Sequence, residues 1–270
     1  MIILLKRTIL IGLLIALSYL GILSYQQSKL YEENTHIIAQ ECDANGLASG
    51  KIDSFTSIIS FGLVKDKHKL SLDKKRVEQQ KSKKLSQRYL YYFMGTLALI
   101  LIFSLSCTLR GTAIVLSFTT FISLILGLIS PILMVTIHKE VEYLGDVILS
   151  FESKGIIGSI NKLFESGESV VAFTILLFSI LLPLLKSLTL TFTLMFQSFS
   201  GSGMLVKFFK LIGKWSMLDV FVVAIFLVYL TSNGGGLTKA EIQVGLYFFL
   251  TYVILSMITA ILTQKVLERK

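Results

Sequence analysis

Residues Tyr89 to Leu109 read YLYYFMGTLALILIFSLSCTL, and a second apolar run, TAIVLSFTTFISLILGLISPILMVTI, extends from Thr112 to Ile137. A transmembrane helix needs about 20 predominantly apolar residues, which each run supplies without a charged residue. Because the bilayer core offers no water to backbone N–H and C=O groups, such long runs predict helices. A porin-type barrel would show short alternating segments instead. The sequence therefore predicts an all-α integral membrane protein.

The composition and the other apolar runs extend this prediction to the whole chain. Of the 270 residues, 53% are hydrophobic and 16% are charged, whereas about a quarter of the residues in soluble domains are charged. We therefore expect a membrane protein rather than a soluble enzyme. About six transmembrane helices are predicted, at Thr8–Tyr25, Tyr89–Leu109, Thr112–Ile137, Val170–Phe196, Trp215–Thr231 and Ile242–Thr263.

These spans divide the chain into four parts. Residues 1–25 are expected to form an N-terminal membrane anchor, 26–88 a polar loop, 89–109 the second transmembrane helix and 110–270 a four-helix transmembrane module. The first span could instead be a cleaved signal peptide, but no small-x-small cleavage site follows it, so a retained anchor is favoured. The basic end of the loop, Lys65 to Arg88, is expected to be a solvated helix that leads into the second span.

The distribution of basic residues predicts the orientation of the spans. With the N-terminus in the cytoplasm, the cytoplasmic pieces are rich in Lys and Arg, whereas the segment His138 to Ser169 carries more acidic than basic residues. The loop 26–88 is then periplasmic and both termini are cytoplasmic. Because this loop ends in a basic stretch, the alternative is a cytoplasmic loop, which requires that Thr8–Tyr25 does not span the membrane in the simple way.

Two charged residues interrupt the apolar spans and are the main candidate site. Lys186 lies in the fourth span and Asp219 near the start of the fifth, and a charge at a helix centre costs about 2.5–3.5 kcal/mol on insertion scales. The predicted topology places both in the inner half of the bilayer. We expect them to pair, with Ser216 completing a polar cluster. The alternative is that each side chain extends separately to the lipid headgroups.

Other residues are expected to shape and anchor these helices. Pro183 in the fourth span and Pro131 late in the third each remove a backbone hydrogen bond, which predicts helix kinks. A short basic amphipathic segment precedes the fifth span and suits the inner headgroup layer. It either recognises anionic lipid or sets the depth of the next helix, and its interfacial anchors are Trp215, Lys207, Lys210 and Lys214.

Sequence signals for other chemistry are weak. Cys42 and Cys107 form no C-x-x-C pair and the three histidines lie in separate polar segments, so we predict no metal site and no cofactor. The sequence offers no Ser/His/Asp or Cys/His set within plausible reach, and we predict that the protein is not an enzyme. The basic segment before Tyr89 has few aromatic residues, so nucleic acid is not an expected partner.

Residues Lys214 to Phe221 read KWSMLDVF, and the string W-S-M-x-D-V-F at the start of a span resembles a signature of the paraquat-inducible protein A family. Neighbouring features agree in order with the same family. Pro131 closes an earlier helix, a loop with the strings G-I-I and L-F-E-S-G follows, and P-L-L-K ends at Lys186. The resemblance covers about Thr112 to Thr263, which corresponds to one four-helix module of the family.

This resemblance implies a location, partners and a function. It implies a bacterial inner-membrane protein that acts beside an MCE-domain (mammalian cell entry) protein in moving lipids between the two membranes. We therefore expect a subunit that holds or loads membrane phospholipid for such a periplasmic partner; the alternative is a non-transporting membrane scaffold or stress-response protein. Typical members carry two modules with cysteine-rich zinc ribbons. The single module here, without a ribbon, implies a homo-oligomer or a second module as a further partner.

Overall fold

Helices account for most of the described chain, and three strands form a small sheet. The computed structural model describes residues 2–41, 67–141, 145–195 and 238–268. In chain order the elements are α1 (Ile2–Glu41), α2 (Lys67–Leu105), α3 (Leu109–Ile129), β1 (Leu133–Val141), β2 (Gly145–Lys154), α4 (Ile156–Glu165), α5 (Ser169–Leu176), a π-helical turn (Leu177–Leu181), α6 (Leu182–Met195), β3 (Thr238–Ile242) and α7 (Val244–Glu268).

Five of the helical stretches are long and apolar enough to cross a membrane, namely Lys6–Ala39, Lys74–Leu105, Leu109–Ile129, Ser169–Met195 and Val244–Glu268. They correspond to five of the six predicted spans. The remaining one, Trp215–Thr231, lies outside the described residues. The predicted class, an all-α membrane protein, is confirmed, with the small sheet as an addition to it.

Helices α1 and α2 pack against each other as an antiparallel hairpin. The Ser24 hydroxyl donates to the Ser86 carbonyl, and the Ser86 hydroxyl donates to the Ser24 carbonyl, both at 3.0 Å. Further from the N-terminus, Gln79 Nε2 donates to Thr35 Oγ1 at 2.7 Å, so the numbering falls along α2 as it rises along α1. Small side chains at such contacts allow two helices to approach closely.

The first span was predicted to end at Tyr25, but α1 continues to Glu41, so residues 26–41 of the predicted loop 26–88 are helical. The apolar run stops near Tyr25, but the interface between the helices does not stop there. Helix α1 has a buried residue at every seventh position along this interface, which is the period of helices that coil around each other. These residues are Leu10, Leu17, Ser24, Tyr31 and Ile38. The helix expected just before the second span is present as the first part of α2.

Helices α3 and α7 form a second antiparallel pair, and two glycines set their separation. A Cβ atom added to Gly127 would lie 2.9 Å from the backbone nitrogen of Phe249. A Cβ atom added to Gly245 would lie 2.6 Å from the carbonyl oxygens of both Ser130 and Pro131. Real Cβ atoms do not approach backbone atoms this closely, so the pair requires glycine at both positions.

The two helices of this pair continue directly into the sheet. The strand order is β2-β1-β3, and β1 is antiparallel to both neighbours. The pairing of β1 with β3 runs from Leu133 opposite Ile242 to Ile137 opposite Thr238. Beyond the strands, the Gln243 amide donates to the Ile132 carbonyl at 2.9 Å. We call the end of α3 and α7 that joins these strands the sheet end.

Two predictions for the third span are corrected by this arrangement. The span was expected to reach Ile137, but α3 ends at Ile129 and β1 begins at Leu133. Pro131 was expected to kink the helix, but it lies beyond the C-cap residue Ser130, whose backbone is extended. A residue before proline is pushed out of the helical region, and proline itself has no N–H to donate. Pro131 therefore follows the end of α3 and does not bend it.

The fourth span follows a short surface helix. Helix α4 ends with a turn in which Gly167 has φ of 82°, a conformation that favours glycine, and the Glu168 amide donates to the Leu163 carbonyl at 3.0 Å. From Ser169 to Met195 the chain is helical throughout, close to the predicted Val170–Phe196. The π-helical turn ends two residues before Pro183. This local irregularity lies where a kink was predicted.

The hairpin packs on the α3/α7 pair through a shared apolar core. Phe93 of α2 meets Phe248 of α7 edge to face, with ring centroids 4.8 Å apart. Leu17 and Ile100 of the hairpin are fully buried in the same cluster, together with Leu116 of α3. The hairpin, α3 and α7 therefore form one packed unit.

Candidate functional site

The candidate site predicted from the sequence centres on Lys186, which the structure places between two helices. Its side chain is 4% exposed, and Nζ donates to the Ser256 hydroxyl of α7 at 3.0 Å. Ser256 is midway along Val244–Glu268, so the ammonium group lies near the middle of a membrane-spanning helix. Intramembrane ionisable residues that face the protein interior often mark substrate pathways.

Hydroxyl side chains join α3 to both α6 and α7, and together with Lys186 and Ser256 they make a polar seam. Ser117 of α3 and Thr191 of α6 share a hydrogen bond of 2.6 Å. Thr120 of α3 and Thr259 of α7 lie 3.3 Å apart. Each pair joins two helices within the span, where a polar group without a protein partner would meet only hydrocarbon. The polar seam is defined by Lys186, Ser117, Thr120, Thr191, Ser256 and Thr259.

Two buried hydroxyls near the polar seam accept or donate no hydrogen bond within the described part of the chain. They are Ser187 Oγ on α6 and Ser123 Oγ on α3. A buried hydroxyl without a partner costs about 1–3 kcal/mol, so such groups need an explanation. Together with the Lys186 ammonium, they give the interior of these helices several donors for an anionic acceptor.

Pro183 lies one turn before Lys186 and contacts the same neighbouring helix. The Tyr252 hydroxyl donates to the Pro183 carbonyl at 3.5 Å, which is at the limit for a hydrogen bond. Tyr252 is fully buried, so its ring occupies the space between α6 and α7 beside Lys186. Pro183 therefore lies at the contact between α6 and α7, and its predicted role in shaping this helix stays a prediction.

Most of the other predicted site residues lie outside the described residues. They are Asp219, Ser216, Trp215, Lys207, Lys210 and Lys214. The pairing of Lys186 with Asp219 and the interfacial anchor therefore stay predictions. Among the described residues, His, Cys, Asp and Glu side chains form no group of three that could hold a metal ion. The absence of a metal site and of a cofactor in the whole protein also stays a prediction.

Sequence analysis missed a second polar cluster, at the sheet end. Lys83 Nζ of α2 lies 2.7 Å from Glu241 Oε2 of β3, and the Tyr31 hydroxyl of α1 donates to the same oxygen at 2.9 Å. Lys83 Nζ also lies 5.5 Å from the centre of the Tyr31 ring. The cluster joins three elements that are far apart in the chain, so no local motif announces it. The seven-residue spacing of Leu17, Ser24 and Tyr31 is a sequence signal that could have placed Tyr31 at this interface.

The polar seam lies wholly within the part of the chain that matches a known family, whereas the second cluster lies only partly within it. The model of the family described as paraquat-inducible protein A matches residues 111–267, which is more than half of the chain. The match includes Lys186 and Ser256, whereas Tyr31 and Lys83 precede it. Neither the comparison with curated proteins nor that with solved structures gives a match.

Proposed function

Because the chain belongs to the paraquat-inducible protein A family, we propose that this multi-pass membrane protein is a subunit of an MCE-type lipid-transport system. In this proposal it lies in the bacterial inner membrane, binds phospholipid and passes it to a periplasmic MCE-domain protein. The observation that carries the proposal is the buried ammonium group of Lys186 within a membrane-spanning module. No reaction chemistry is required, so the protein is proposed to bind and transfer rather than to catalyse.

The polar seam supports this function through the groups that it offers to a lipid phosphate. A phosphodiester carries one negative charge, and an ammonium group forms strong, charge-assisted hydrogen bonds with it. Lys186 supplies the charge, and the neighbouring hydroxyls of Ser187 and Ser123 are further donors. A buried cation is costly in a bilayer. A bound phosphate would add charge-assisted hydrogen bonds to the one that Lys186 already donates to Ser256.

The proposed direction of transfer depends on the orientation of the helices. Cytoplasmic termini, as the basic residues predict, would place the sheet end in the periplasm, where a partner could contact it. Single cysteines at Ser54 and Ser202, in a background in which Cys42 and Cys107 are replaced, test this orientation. In intact spheroplasts, a membrane-impermeant thiol reagent is expected to label position 54 and not position 202. Labelling of position 202 alone would overturn the orientation.

The lipid proposal is tested by measuring the phospholipid that purifies with the protein. Lys186→Met is expected to lower bound phospholipid per protein about tenfold, which corresponds to about 1.4 kcal/mol of binding free energy. The matched control is Lys265→Met, because Lys265 is an exposed cation on α7. Mass spectrometry of lipid extracts gives the ratio. Equal amounts of lipid in folded wild type and Lys186→Met would contradict the proposal.

Two further measurements complete this test. Ser256→Ala removes the hydroxyl that contacts Lys186 but keeps the charge, so it reports on the polar seam if Lys186→Met fails to fold. Co-purification with an MCE-domain protein encoded in the same genome is expected when the two are expressed together. Absence of both bound lipid and such a partner would favour the alternative, a non-transporting scaffold or stress-response protein.

A further inference from the structure

A cavity of about 420 Å³ lies between the hairpin and the junction of β3 with α7. Ligand sites in proteins have volumes of about 300–1,000 Å³, so this cavity is large enough to hold a ligand or a part of one. It shares no residue with the polar seam. Its wall combines hairpin residues, which precede the family match, with residues near the start of α7, which lie inside the match.

Two glutamine side chains from distant parts of the chain line this cavity. Gln87 belongs to α2 and is exposed, whereas Gln243 directly precedes α7 and is only 7% exposed. Neither side-chain amide makes a hydrogen bond within the residues that the structure describes. Most buried polar side chains in proteins have a hydrogen-bond partner, so the Gln243 amide calls for one. The cavity is the space in which such a partner can lie.

Both amides lie at the depth where the apolar spans begin. The charge-free run of α2 begins two residues after Gln87, and the membrane-spanning helix α7 begins directly after Gln243. Tyr91 and Tyr247 line the same cavity and are exposed, and tyrosine is enriched at membrane–water interfaces. The two amides therefore lie between the headgroup layer and the hydrocarbon core.

The apolar part of the cavity wall suits the hydrocarbon part of a lipid. Leu90 and Met94 lie three and seven residues after Gln87, on the same face of α2, and Val244 lines the cavity from α7. Met94 is about 10 Å further along α2 than Gln87, at 1.5 Å per residue. An acyl chain that extends from the amides into the membrane would contact these side chains.

Hydrogen bonding, rather than charge, identifies the ligand class. Among the described residues that line the cavity, Lys83 is the one charged residue, and its Nζ already lies 2.7 Å from Glu241 Oε2. A glutamine amide donates two hydrogen bonds and can also accept them. At the depth of these amides a glycerolipid carries its ester carbonyl groups, which accept hydrogen bonds and connect the headgroup to the acyl chains.

We propose that this cavity binds an ester-linked glycerolipid through its acyl carbonyl groups. The amides of Gln243 and Gln87 donate to the ester carbonyl oxygens, and one acyl chain lies along Leu90 and Met94. The proposal rests on the lipid-binding function proposed above. It adds a second binding site and names the part of the lipid that this site recognises, which is the ester linkage.

The experiment compares two lipids that differ only in this linkage. Purified full-length protein in a neutral detergent is titrated with phosphatidylcholine whose chains are attached by ester or by ether bonds, and native mass spectrometry measures bound lipid. The ether lipid lacks the carbonyl oxygens but keeps the headgroup and the chains. Wild type is expected to bind the ester lipid about tenfold more tightly, which corresponds to about 1.4 kcal/mol. Equal binding of the two lipids would overturn the proposal.

Methionine substitutions assign the ester preference to the cavity. Gln243→Met keeps the length of the side chain and removes its hydrogen bonds, so the preference is expected to fall about tenfold, to near equality. Gln87→Met is expected to reduce the preference as well, and it supplies the test if Gln243→Met fails to fold, because Gln87 is exposed. The matched control is Gln80→Met, since Gln80 is exposed on the same helix and does not line the cavity. An unchanged preference in folded Gln243→Met, or in Gln87→Met if only that variant folds, would overturn the proposal.

Two comparisons separate this proposal from its alternatives. Glycerol triacetate, which has ester carbonyls but no long chains, is expected not to displace the ester lipid. Displacement at the same concentration would assign the cavity to a small water-soluble ester and overturn the lipid assignment. An ester preference without any effect of Lys186→Met would support the cavity and contradict the role proposed for Lys186. Lipid loss in Lys186→Met without any ester preference would contradict the cavity proposal alone.

Discussion

The N-terminal hairpin and the α3/α7 pair bury very different shares of their apolar stretches. Within the described residues, 61% of the apolar stretch is buried in both α3 and α7, against 22% in α1 and 28% in α2. The contacts also differ in kind. In the α3/α7 pair, glycines packed against backbone atoms set the separation of the two helices. In the hairpin, two reciprocal serine hydrogen bonds join α1 to α2. The α3/α7 pair is therefore the structural centre, and the hairpin leaves most of its apolar stretches unburied by the protein.

The largest effect is expected from a change of charge beside the α3/α7 pair, where Lys186 of α6 contacts Ser256 of α7. If Lys186 pairs with Asp219, Lys186→Met or Asp219→Leu alone leaves an unpaired buried charge, at a cost of about 3–5 kcal/mol in unfolding free energy. The double variant is expected to recover part of the loss, because no unpaired charge remains. A double-mutant cycle on thermal stability in detergent measures the coupling. Coupling near zero would rule out the pair and leave Asp219 as a residue favoured by the helix dipole.

Glycine substitutions test the difference in packing directly. In Gly245→Ala the new methyl group would meet two backbone carbonyl oxygens at 2.6 Å, so the helices must separate. Overpacking of this kind costs about 1–3 kcal/mol in unfolding free energy. The matched control is Gly95→Ala in the hairpin, where an added Cβ has no atom within 4 Å. Equal thermal stability of the two variants in detergent would refute the distinction between a tight centre and an open hairpin.

The smallest effect is expected for the serine contacts of the hairpin. Ser24→Ala removes one of the two reciprocal hydrogen bonds with Ser86, a loss of about 0.5–1.5 kcal/mol in unfolding free energy. The control is Ser18→Ala, because the Ser18 hydroxyl bonds only to the Leu14 carbonyl within α1 in the described contacts. Chemical denaturation in mixed micelles compares the two. A larger loss for the control would mean that these hydrogen bonds do not join the helices.

Hydropathy predicted the membrane-spanning parts of the fold well but missed what extends beyond the bilayer. An apolar run is a local signal, so Ser169–Met195 was located to within a residue at each end. The hairpin beyond Tyr25 depends instead on small and polar side chains such as Ser28 and Thr35, both of which are buried, and Thr35 accepts a hydrogen bond from Gln79 of α2. A search of the sequence for apolar, aromatic or small residues every seven positions would have extended α1.

The sheet and the candidate sites also depend on contacts between distant parts of the chain, which local sequence patterns do not reveal. Strand β1 pairs with β3 about a hundred residues away, and no property of Leu133–Val141 alone specifies that partner. Lys186 was predicted because a charge in an apolar run is visible in the sequence. Its contact with Ser256 and the contact of Lys83 with Glu241 were not predicted, since each joins elements distant in the chain.

The direct passage of α3 and α7 into adjacent strands has a mechanical consequence. Only residues 130–132 separate α3 from β1, and Gln243 alone separates β3 from α7. The Gly245 amide donates to the Pro131 carbonyl at 2.9 Å across this junction, so the two connections are also bonded to each other. Neither connection contains a longer loop that could let the sheet move independently of these two helices. A displacement of the strands would therefore have to move or deform the start of α7, the helix that carries the Ser256 contact of Lys186.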